Sequence, residues 1–311
     1  MKIKTIIKAT VFILGAFLLT NACKKKESKT DDSNQPAEPR LIFRFKFDST
    51  QARLDNLGNP CTVPGGHKAQ SPKFNKMSAH YIELANDFDS LGKGKVLYWA
   101  PETTAGGSKA IDFLQEVKAG QGEDFFSIPL SQIPAGTYKW LRISLAYQNY
   151  DITFKSGSYI GTGTLASFLG YNTYITNYII KTQSVSPSAA VGGQGNHLQG
   201  YWGFETMVAG TPYIYDGQAP AGATTVVNPM PNSPIPPGSC VVTGVFYAPS
   251  GSVQSLAINS GSTKDIVITV SLSTNNSFEW KEHSGDSYYE PIAGDTVVDM
   301  GIRGLKPTWN Y

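Results

Sequence analysis

Four histidines are the side chains of this sequence best suited to hold a metal ion or to move a proton near neutral pH. They are His67, His80, His197 and His283, and no two of them are close enough in the chain to form a local metal motif. His67 and His197 lie in glycine-rich segments, which can fold back toward other ligands, whereas His80 lies within a predicted strand. His67, His80 and His197 are therefore the candidate metal ligands, although an ordinary structural histidine is the simpler interpretation of each.

Motifs of known hydrolases are missing from the sequence. It contains neither the Gly-x-Ser-x-Gly of serine hydrolases nor the His-Glu-x-x-His of zinc proteases. A carboxylate pair of the kind used by glycosidases could still form in space from the 24 acidic residues. Glu83, Asp112, Glu205 and Glu279 lie beside apolar residues, where burial would raise the pKa of a carboxyl group. No pair stands out, so a non-catalytic protein is favoured and a glycan-acting hydrolase is kept as an alternative.

Aromatic side chains are stronger candidates for a functional surface. Tyr288, Tyr289 and Trp309 lie in polar, loop-like segments, where their rings are expected to be exposed. Flat, exposed rings can stack on sugars or anchor a partner protein. These three residues are therefore the candidate binding residues, with a glycan or a protein as the candidate partner.

The first 22 residues have the parts of a secretory signal. Lys2, Lys4 and Lys8 give a basic start, and the apolar stretch from Val11 to Leu19 is too short to span a bilayer. Small residues then close the segment at Ala22. This arrangement predicts export from the cytoplasm.

The end of the signal resembles the lipobox of Gram-negative lipoproteins in the run Leu19-Thr20-Asn21-Ala22-Cys23. The resemblance implies that residues 1–22 are removed and that Cys23 carries acyl chains. Several acyl chains anchor a protein stably, because each buried CH₂ contributes about 0.8 kcal/mol. In such lipoproteins an Asp after the cysteine often signals inner-membrane retention, so Lys24 favours the outer membrane, on either its periplasmic or its surface side.

The mature chain has almost no net charge. Loss of the signal would remove three of the 26 basic residues and none of the 24 acidic ones, which leaves a formal charge of −1. A near-neutral protein without a basic stripe is not expected to bind nucleic acid. Residues 23–40 are almost entirely polar and predict a flexible tether, so the folded body is assigned to residues 41–311.

Two cysteines remain for the body. Cys61 and Cys240 both follow proline-rich or glycine-rich segments, where loops or strand starts are expected. In an oxidising compartment two such thiols most simply form one disulfide. Two buried free thiols are the alternative.

The body is predicted to be all-β. It is rich in glycine and proline, with 31 and 19 in the whole chain, and only 16% of the residues are charged. Phe43, Phe45 and Phe47 alternate with polar residues, and Leu141, Ile143 and Leu145 alternate in the same way, so each set should face a core. About ten such strands, a short helix over 110–117, and long Gly/Pro/Ser-rich loops over 184–200 and 211–238 predict an antiparallel, Greek-key-like β-sandwich.

The order of these segments resembles the MbnP-like family of exported, copper-associated proteins. The resemblance is carried by the alternating Phe strand and by five further segments: Tyr81–Leu84, Ile128–Tyr138, Leu141–Leu145, Gly200–Phe204 and Val267–Leu272. It implies a β-sandwich and names copper as the candidate ion, with Trp202 as the one tryptophan in a matching position. The closely spaced tryptophan pair of that family is not present.

Taken together, these features predict a membrane-anchored, exported lipoprotein whose body is a binding or structural module. A copper-associated protein and a glycan-acting hydrolase are the two alternatives. No cofactor other than copper is suggested by the sequence.

Overall fold

The computed structural model describes residues 38–88, 92–220 and 233–311. The predicted signal peptide and Cys23 lie outside these residues, as does the predicted tether up to residue 37. Residues Glu38–Tyr311 form one compact unit. Its first strand begins at Arg40, and Pro39 already accepts a backbone hydrogen bond from Leu130, so the folded body starts slightly before the expected boundary. Within the described ranges, no helix is long and apolar enough to cross a membrane.

Strands make up most of the described chain, and the longest, β9, has 17 residues. In order they are β1 (Arg40–Asp48), β2 (His67–Gln70), β3 (Lys73–Ala85), β4 (Lys95–Trp99), β5 (Glu102–Thr103), β6 (Ala110–Asp112), β7 (Asp124–Pro129), β8 (Gly136–Tyr138), β9 (Trp140–Ser156), β10 (Tyr159–Phe168), β11 (Asn172–Ile175), β12 (Tyr178–Ile179), β13 (Ser184–Val185), β14 (Gly195–Leu198), β15 (Tyr201–Val208), β16 (Thr211–Gln218), β17 (Cys240–Val245), β18 (Leu256–Ile258), β19 (Ile266–Ser273), β20 (Phe278–Lys281), β21 (Thr296–Met300) and β22 (Leu305–Asn310). Three single 3₁₀ turns accompany them, at Leu130–Gln132, Ala189–Val191 and Pro291–Ala293.

Two sheets form the main layers. The larger has the order β16-β15-β10-β9-β3-β4, with β17 also paired to the first half of β9. The second has the order β22-β19-β1-β7. Their facing residues form one hydrophobic core, and the predicted all-β sandwich is confirmed.

The alternating patterns identified the inward faces correctly. Phe43 and Phe45 of β1 are fully buried in the main core, and Phe47 packs against it. Leu141, Ile143 and Leu145 of β9 are fully buried in the same core. A period of two therefore reported which residues of each strand face the main core, although in β9 the opposite face is buried as well.

Among the described residues two strand pairs are parallel, β1 with β19 and the short β6 with β11, which the predicted antiparallel sandwich did not include. β1 pairs with β19 in parallel, with Leu41 opposite Ile266 and Phe47 opposite Leu272. Alternation of apolar and polar residues is the same in both strand directions, so it carries no information on orientation. More than two hundred residues separate the two strands, which leaves ample chain for the crossover that a parallel pair requires.

A smaller third layer covers the outer face of the large sheet. Phe113, Tyr147, Phe168, Tyr178 and Tyr201 form a second cluster there, mostly through edge-on ring contacts. Residues 141–150 of β9 are consequently buried without interruption, because both faces of that strand are covered.

The helix predicted over 110–117 is wrong. Ala110–Asp112 is strand β6, and turns follow it. Ile111 is buried, but Leu114 and Val117 are exposed, so the helical spacing of these three residues does not mark one buried face. Apolar residues at helical spacing predict a helix only when all of them reach a common core.

Candidate ligand-binding cleft

A cavity lies between one end of the large sheet and a wall made by β20, β21 and the turn Pro291–Ala293. Its volume is about 710 Å³, within the range of small-molecule sites. Its sheet side is formed by β9, β10, β15 and β16. Ile152, Leu165, Phe278 and Met300 form a buried, apolar floor.

Two aromatic rings on the sheet side of the cleft lie over glycines of the neighbouring strands. A Cβ atom at Gly163 would be only 2.1 Å from the ring of Phe204, and one at Gly217 would be 2.6 Å from the ring of Trp202. Each ring thus occupies the space that a side chain on the neighbouring strand would otherwise take. Phe154 braces the ring of Phe204 edge-on, with the ring centroids 5.2 Å apart. The two glycines therefore leave room for the rings of Trp202 and Phe204 beside the neighbouring strand, and both rings line the cavity.

The hairpin of β15 and β16 forms the open side of the cleft. The two strands are joined by Ala209 and Gly210, both with positive φ, as in the tight two-residue turns of hairpins. Tyr213 lies opposite Thr206, and Tyr215 lies opposite Phe204. Both tyrosines line the cavity and are exposed at its mouth.

The opposite wall is held by a local hydrogen-bond network. Buried Asp295 accepts hydrogen bonds from the backbone N–H groups of His283 and Glu290, each at 2.8 Å. These bonds close the loop that places Tyr289 and Ile292 at the cavity. The ring of Tyr289 packs edge-on against Phe278, with the centroids 5.1 Å apart, so this wall is continuous with the main core.

The cleft offers no positive charge to a ligand. None of the residues that line it is Lys, Arg or His, and Asp295 is its one acid, with both carboxylate oxygens already accepting backbone hydrogen bonds. Burial, reinforced by the nearby Asp295 carboxylate, raises the pKa of Tyr289 to about 12, so its hydroxyl is neutral. The lining therefore suits an uncharged, largely apolar molecule. A two-carboxylate glycosidase site is not formed by these lining residues.

The three aromatic residues expected to be exposed have different positions. Tyr288 is exposed, as predicted, but does not line the cleft. Tyr289 is half-buried and forms part of the cleft wall. Trp309 is half-buried in β22, where it packs against the main core and lies 5.3 Å from the ring of Tyr311. The expectation of exposure was wrong for Tyr289 and Trp309, because sheet pairing and packing cover segments that look polar in the sequence.

The three candidate metal-binding histidines are not brought together. His67 is paired with Glu279 at 2.5 Å, and His197 is hydrogen-bonded to the backbone carbonyl of Gly193 at 2.9 Å. His80 is fully buried, and its Nε2 lies 3.3 Å from a carboxylate oxygen of Glu102. Among residues 38–88, 92–220 and 233–311, no group of three His, Cys, Asp or Glu side chains is placed to hold a metal ion.

His80 belongs instead to a compact polar cluster beside β3. Glu102 also accepts a hydrogen bond from Tyr171 at 3.0 Å and is paired with Lys109 at 2.7 Å. Burial lowers the pKa of His80 and outweighs the opposing effect of Glu102, so the imidazole is neutral. The ring of Trp99 contacts that of His80 edge-on at 5.1 Å. These contacts account for a structural histidine.

The disulfide expected between Cys61 and Cys240 is not formed, and both thiols are free. Cys240 is buried in the main core at the start of β17, and burial raises the pKa of its thiol well above the ordinary value. Cys61 is half-buried in the loop after β1, where its backbone N–H donates to Arg53. A cysteine count gives no distance, and pairing depends on the geometry of the two Cα–Cβ bonds.

The buried carboxylates differ from expectation in the direction of their pKa shifts. Burial alone would raise the pKa of Glu205 and Glu279, but hydrogen bonds to each outweigh it and lower both pKa values. Glu205 accepts from the Thr182 hydroxyl and from three consecutive backbone N–H groups of residues 181–183. Burial does raise the pKa of Glu116 and of Asp299 to about 7, two residues that the sequence did not single out.

Most residues of the cleft were not identified from the sequence. Thr211–Gln218 was predicted as part of an irregular loop because prolines and glycines are frequent in 211–238, yet it forms strand β16. The signal that could have revealed it is the run of strand-forming residues Tyr213, Ile214 and Tyr215 just after the Ala209-Gly210 turn. Trp202, quoted for the copper family, is in the cleft rather than beside a histidine site.

Comparisons with known proteins find no relative of this chain. No protein-family model matches the chain, and neither a search of curated proteins nor one of solved structures finds a match.

Proposed function

We propose that this protein is an exported, lipid-anchored binding protein whose cleft takes an uncharged, apolar small molecule. The cleft carries this proposal, because an aromatic-lined cavity of about 710 Å³ whose surface is mostly apolar is typical of small-ligand sites. The lipobox run ending at Cys23 supports the anchor, and Lys24 favours the outer membrane.

The absence of cations from the lining argues against an anionic ligand. A buried carboxylate or sulfonate needs a partner of opposite charge to offset the loss of its hydration. The lining residues offer none, and Asp295 would repel an anion further. An uncharged molecule meets no such penalty.

The apolar floor argues against a glycan. A sugar presents hydroxyl groups around its whole edge, and each one buried without a hydrogen bond costs about 1–3 kcal/mol. Ile152, Leu165, Phe278 and Met300 provide no side-chain hydrogen-bond partner for them. Rings such as Trp202 and Tyr215 can equally well stack on an apolar ring system.

A pair of matched fluorescent probes tests this function. On residues 38–311 produced without the anchor, N-phenyl-1-naphthylamine is expected to bind saturably. Its sulfonated analogue, 8-anilino-1-naphthalenesulfonate, should bind at least about tenfold more weakly, because about 1.4 kcal/mol corresponds to a tenfold change in affinity. Fluorescence titration and competition between the two probes give both dissociation constants.

Two tyrosine variants place the probe in the cleft. Tyr215→Ala removes a ring at the cleft mouth and is expected to weaken binding of the uncharged probe about tenfold. Tyr288→Ala removes an exposed ring outside the cleft and should leave the affinity unchanged. Equal affinities of the two variants, or equal binding of the two probes to the unaltered body, would contradict the proposal.

The lipid anchor has its own test. Cys23→Ser removes the sulfur that would be acylated, so the protein is expected to leave the membrane fraction or to accumulate as an uncleaved precursor. Membrane fractionation and mass spectrometry of the N-terminal peptide distinguish these outcomes from normal processing. A mature, unmodified N-terminus at a residue other than 23 would show that the lipobox is not used.

A further inference from the structure

The end of the β15–β16 hairpin, residues 207–215, is apolar and carries no charged side chain. Met207, Tyr213, Ile214 and Tyr215 are all exposed, and Tyr215 retains 56% of its accessible surface. β16 is the last strand of its sheet, so this exposed segment is also an edge. Exposed strands at sheet edges usually carry charges that limit contact with other molecules.

Both faces of this hairpin end are apolar. Tyr213 and Tyr215 are on the cleft face, opposite Thr206 and Phe204. Ile214 is on the other face, opposite Glu205. A strand with one buried and one solvated face would alternate apolar with polar residues. The exposed residues on both faces are therefore not explained by packing against the body alone.

We propose that residues 207–215 dock into the headgroup region of the membrane that carries the anchor, with the cleft mouth toward the bilayer. Tyrosine rings are enriched at this level of a membrane, where an apolar ring and a polar hydroxyl are both accommodated. Uncharged side chains enter the region without the cost of desolvating a charge. The unpaired backbone groups of an edge strand restrict the segment to the headgroup region, since they would lack partners in the hydrocarbon.

The length of the tether permits this contact. Fifteen residues lead from Cys23 to Glu38, and a fully extended chain of that length spans at most about 50 Å. An anchored body is thus held close to the bilayer, which raises the effective concentration of a weakly binding surface. The membrane is favoured over a soluble partner for this reason, and this step rests on the proposed lipid anchor.

The position of the hairpin also specifies the source of the ligand. Val208, Tyr213 and Tyr215 belong both to the docking segment and to the lining of the cleft. Docking therefore places the cleft mouth at the bilayer surface, where uncharged apolar molecules accumulate. An uncharged, apolar ligand, as deduced for the cleft, is also the kind of molecule that dissolves in a bilayer. The cleft therefore takes its ligand from the lipid phase.

Site-specific fluorescence on the full, lipid-anchored protein tests the docking. Ile214→Cys and Val253→Cys are each made with Cys61→Ser, labelled with a nitrobenzoxadiazole dye, and reconstituted in phosphatidylethanolamine–phosphatidylglycerol vesicles. Val253 is exposed in the segment between β17 and β18, away from the hairpin in the chain, and serves as the matched apolar position. The Cys61→Ser parent, which retains buried Cys240, measures background labelling.

Nitroxide-labelled lipid is expected to quench the dye at position 214 at least about twofold more than at position 253, and aqueous iodide should show the reverse order. Equal quenching at the two positions would overturn the docking. Protection from iodide at position 214 without lipid quenching would also overturn it, and would indicate that a second copy of the chain covers the edge.

The docking and the ligand site can fail separately. The naphthylamine titration on residues 38–311 involves no bilayer, so loss of binding there refutes the cleft while leaving the quenching result intact. Ile214→Glu, on the face away from the cleft, should keep that affinity but slow probe transfer from vesicles to the anchored protein at least about threefold. An unchanged transfer rate would show that the ligand does not arrive through the docked hairpin.

Discussion

Phe45→Ala is expected to lower the free energy of unfolding by about 3–5 kcal/mol. Phe45 is fully buried in the main core, and its ring lies 4.9 Å from that of Phe125 on the neighbouring strand β7. Truncation removes the buried apolar surface and leaves a cavity that close-packed neighbours fill only in part. The loss is a large share of the 5–15 kcal/mol that stabilises a typical domain. Urea denaturation of residues 38–311, followed by circular dichroism, measures it.

Phe88 provides the matched control. It is 40% exposed and makes an edge contact with Trp140, so Phe88→Ala is expected to cost less than about 1 kcal/mol. If Phe45→Ala were as stable as Phe88→Ala, the inward face of β1 would have been assigned wrongly. The spectrum of the unaltered body should show β-structure, and a strong helical signal would refute the sandwich.

The second large effect is expected at the buried ion cluster around Glu279. Its carboxylate is paired with buried Arg53, with His67, and with Arg303 at 3.4 Å. Glu279→Gln keeps the shape but removes the charge, which leaves the arginines without their shared partner. Removing one partner of a buried ion pair typically costs about 3–5 kcal/mol of folding stability. Because His67 and Arg303 are partly exposed, we expect a loss of about 3 kcal/mol in the free energy of unfolding.

The pH dependence of this loss follows from the lowered pKa of Glu279. Burial opposes ionisation of Glu279, but the hydrogen bonds from His67 and Arg53 outweigh it. The pKa of Glu279 in the folded protein is therefore below its ordinary value of 4.5. A carboxyl group whose pKa is lower in the folded than in the unfolded protein stabilises the fold at any pH above its unfolded-state pKa. This contribution is lost as the pH falls through the folded-state pKa. The difference between Glu279→Gln and the unaltered body should therefore be full near pH 7 and shrink below about pH 4.5.

An exposed ion pair is the control for this experiment. Asp124 pairs with Arg44 at 2.5 Å, and the two side chains are 55% and 39% exposed. Asp124→Asn is expected to change the free energy of unfolding by no more than about 1 kcal/mol, because water screens the pair. A loss at Glu279 no larger than the loss at Asp124 would show that the buried cluster does not stabilise the fold.

The predictability of the cleft was limited by the way its parts are spread along the chain. Trp202 and Tyr215 belong to one hairpin, whereas Tyr289 and Met300 come from a segment more than seventy residues later. Each ring on its own is compatible with an ordinary core position. The cavity lies between these two segments, and local periodicity contains no information on the distance between them.

The predicted carboxylate chemistry was limited in a similar way. Glu279 and Asp299 are both buried, yet the pKa of Glu279 is lowered and that of Asp299 is raised to about 7. Apolar neighbours in the sequence indicate burial, which raises a carboxyl pKa. They do not reveal the hydrogen-bond donors from distant strands that decide the sign of the shift.

The sequence by itself determined the class of fold and which faces of its clearest strands are buried. The period of two places Phe43, Phe45 and Ile143 on the faces that meet the main core, which follows from strand geometry alone and needs no knowledge of the partner strand. The lipobox-like run Leu19–Cys23, on which the proposed lipid anchor rests, is also read from the sequence alone, because such a signal is a contiguous run of residues.

Only the tertiary structure decided the direction of β1 beside β19, the free state of Cys61 and Cys240, and the existence of the aromatic cleft. Each of these depends on distances between residues that are far apart in the chain. Such distances are set by the packing of whole sheets, in which many strands must pair and bury their apolar faces at the same time. Residue type and spacing therefore predicted what each strand buries, and three-dimensional packing determined which side chains meet.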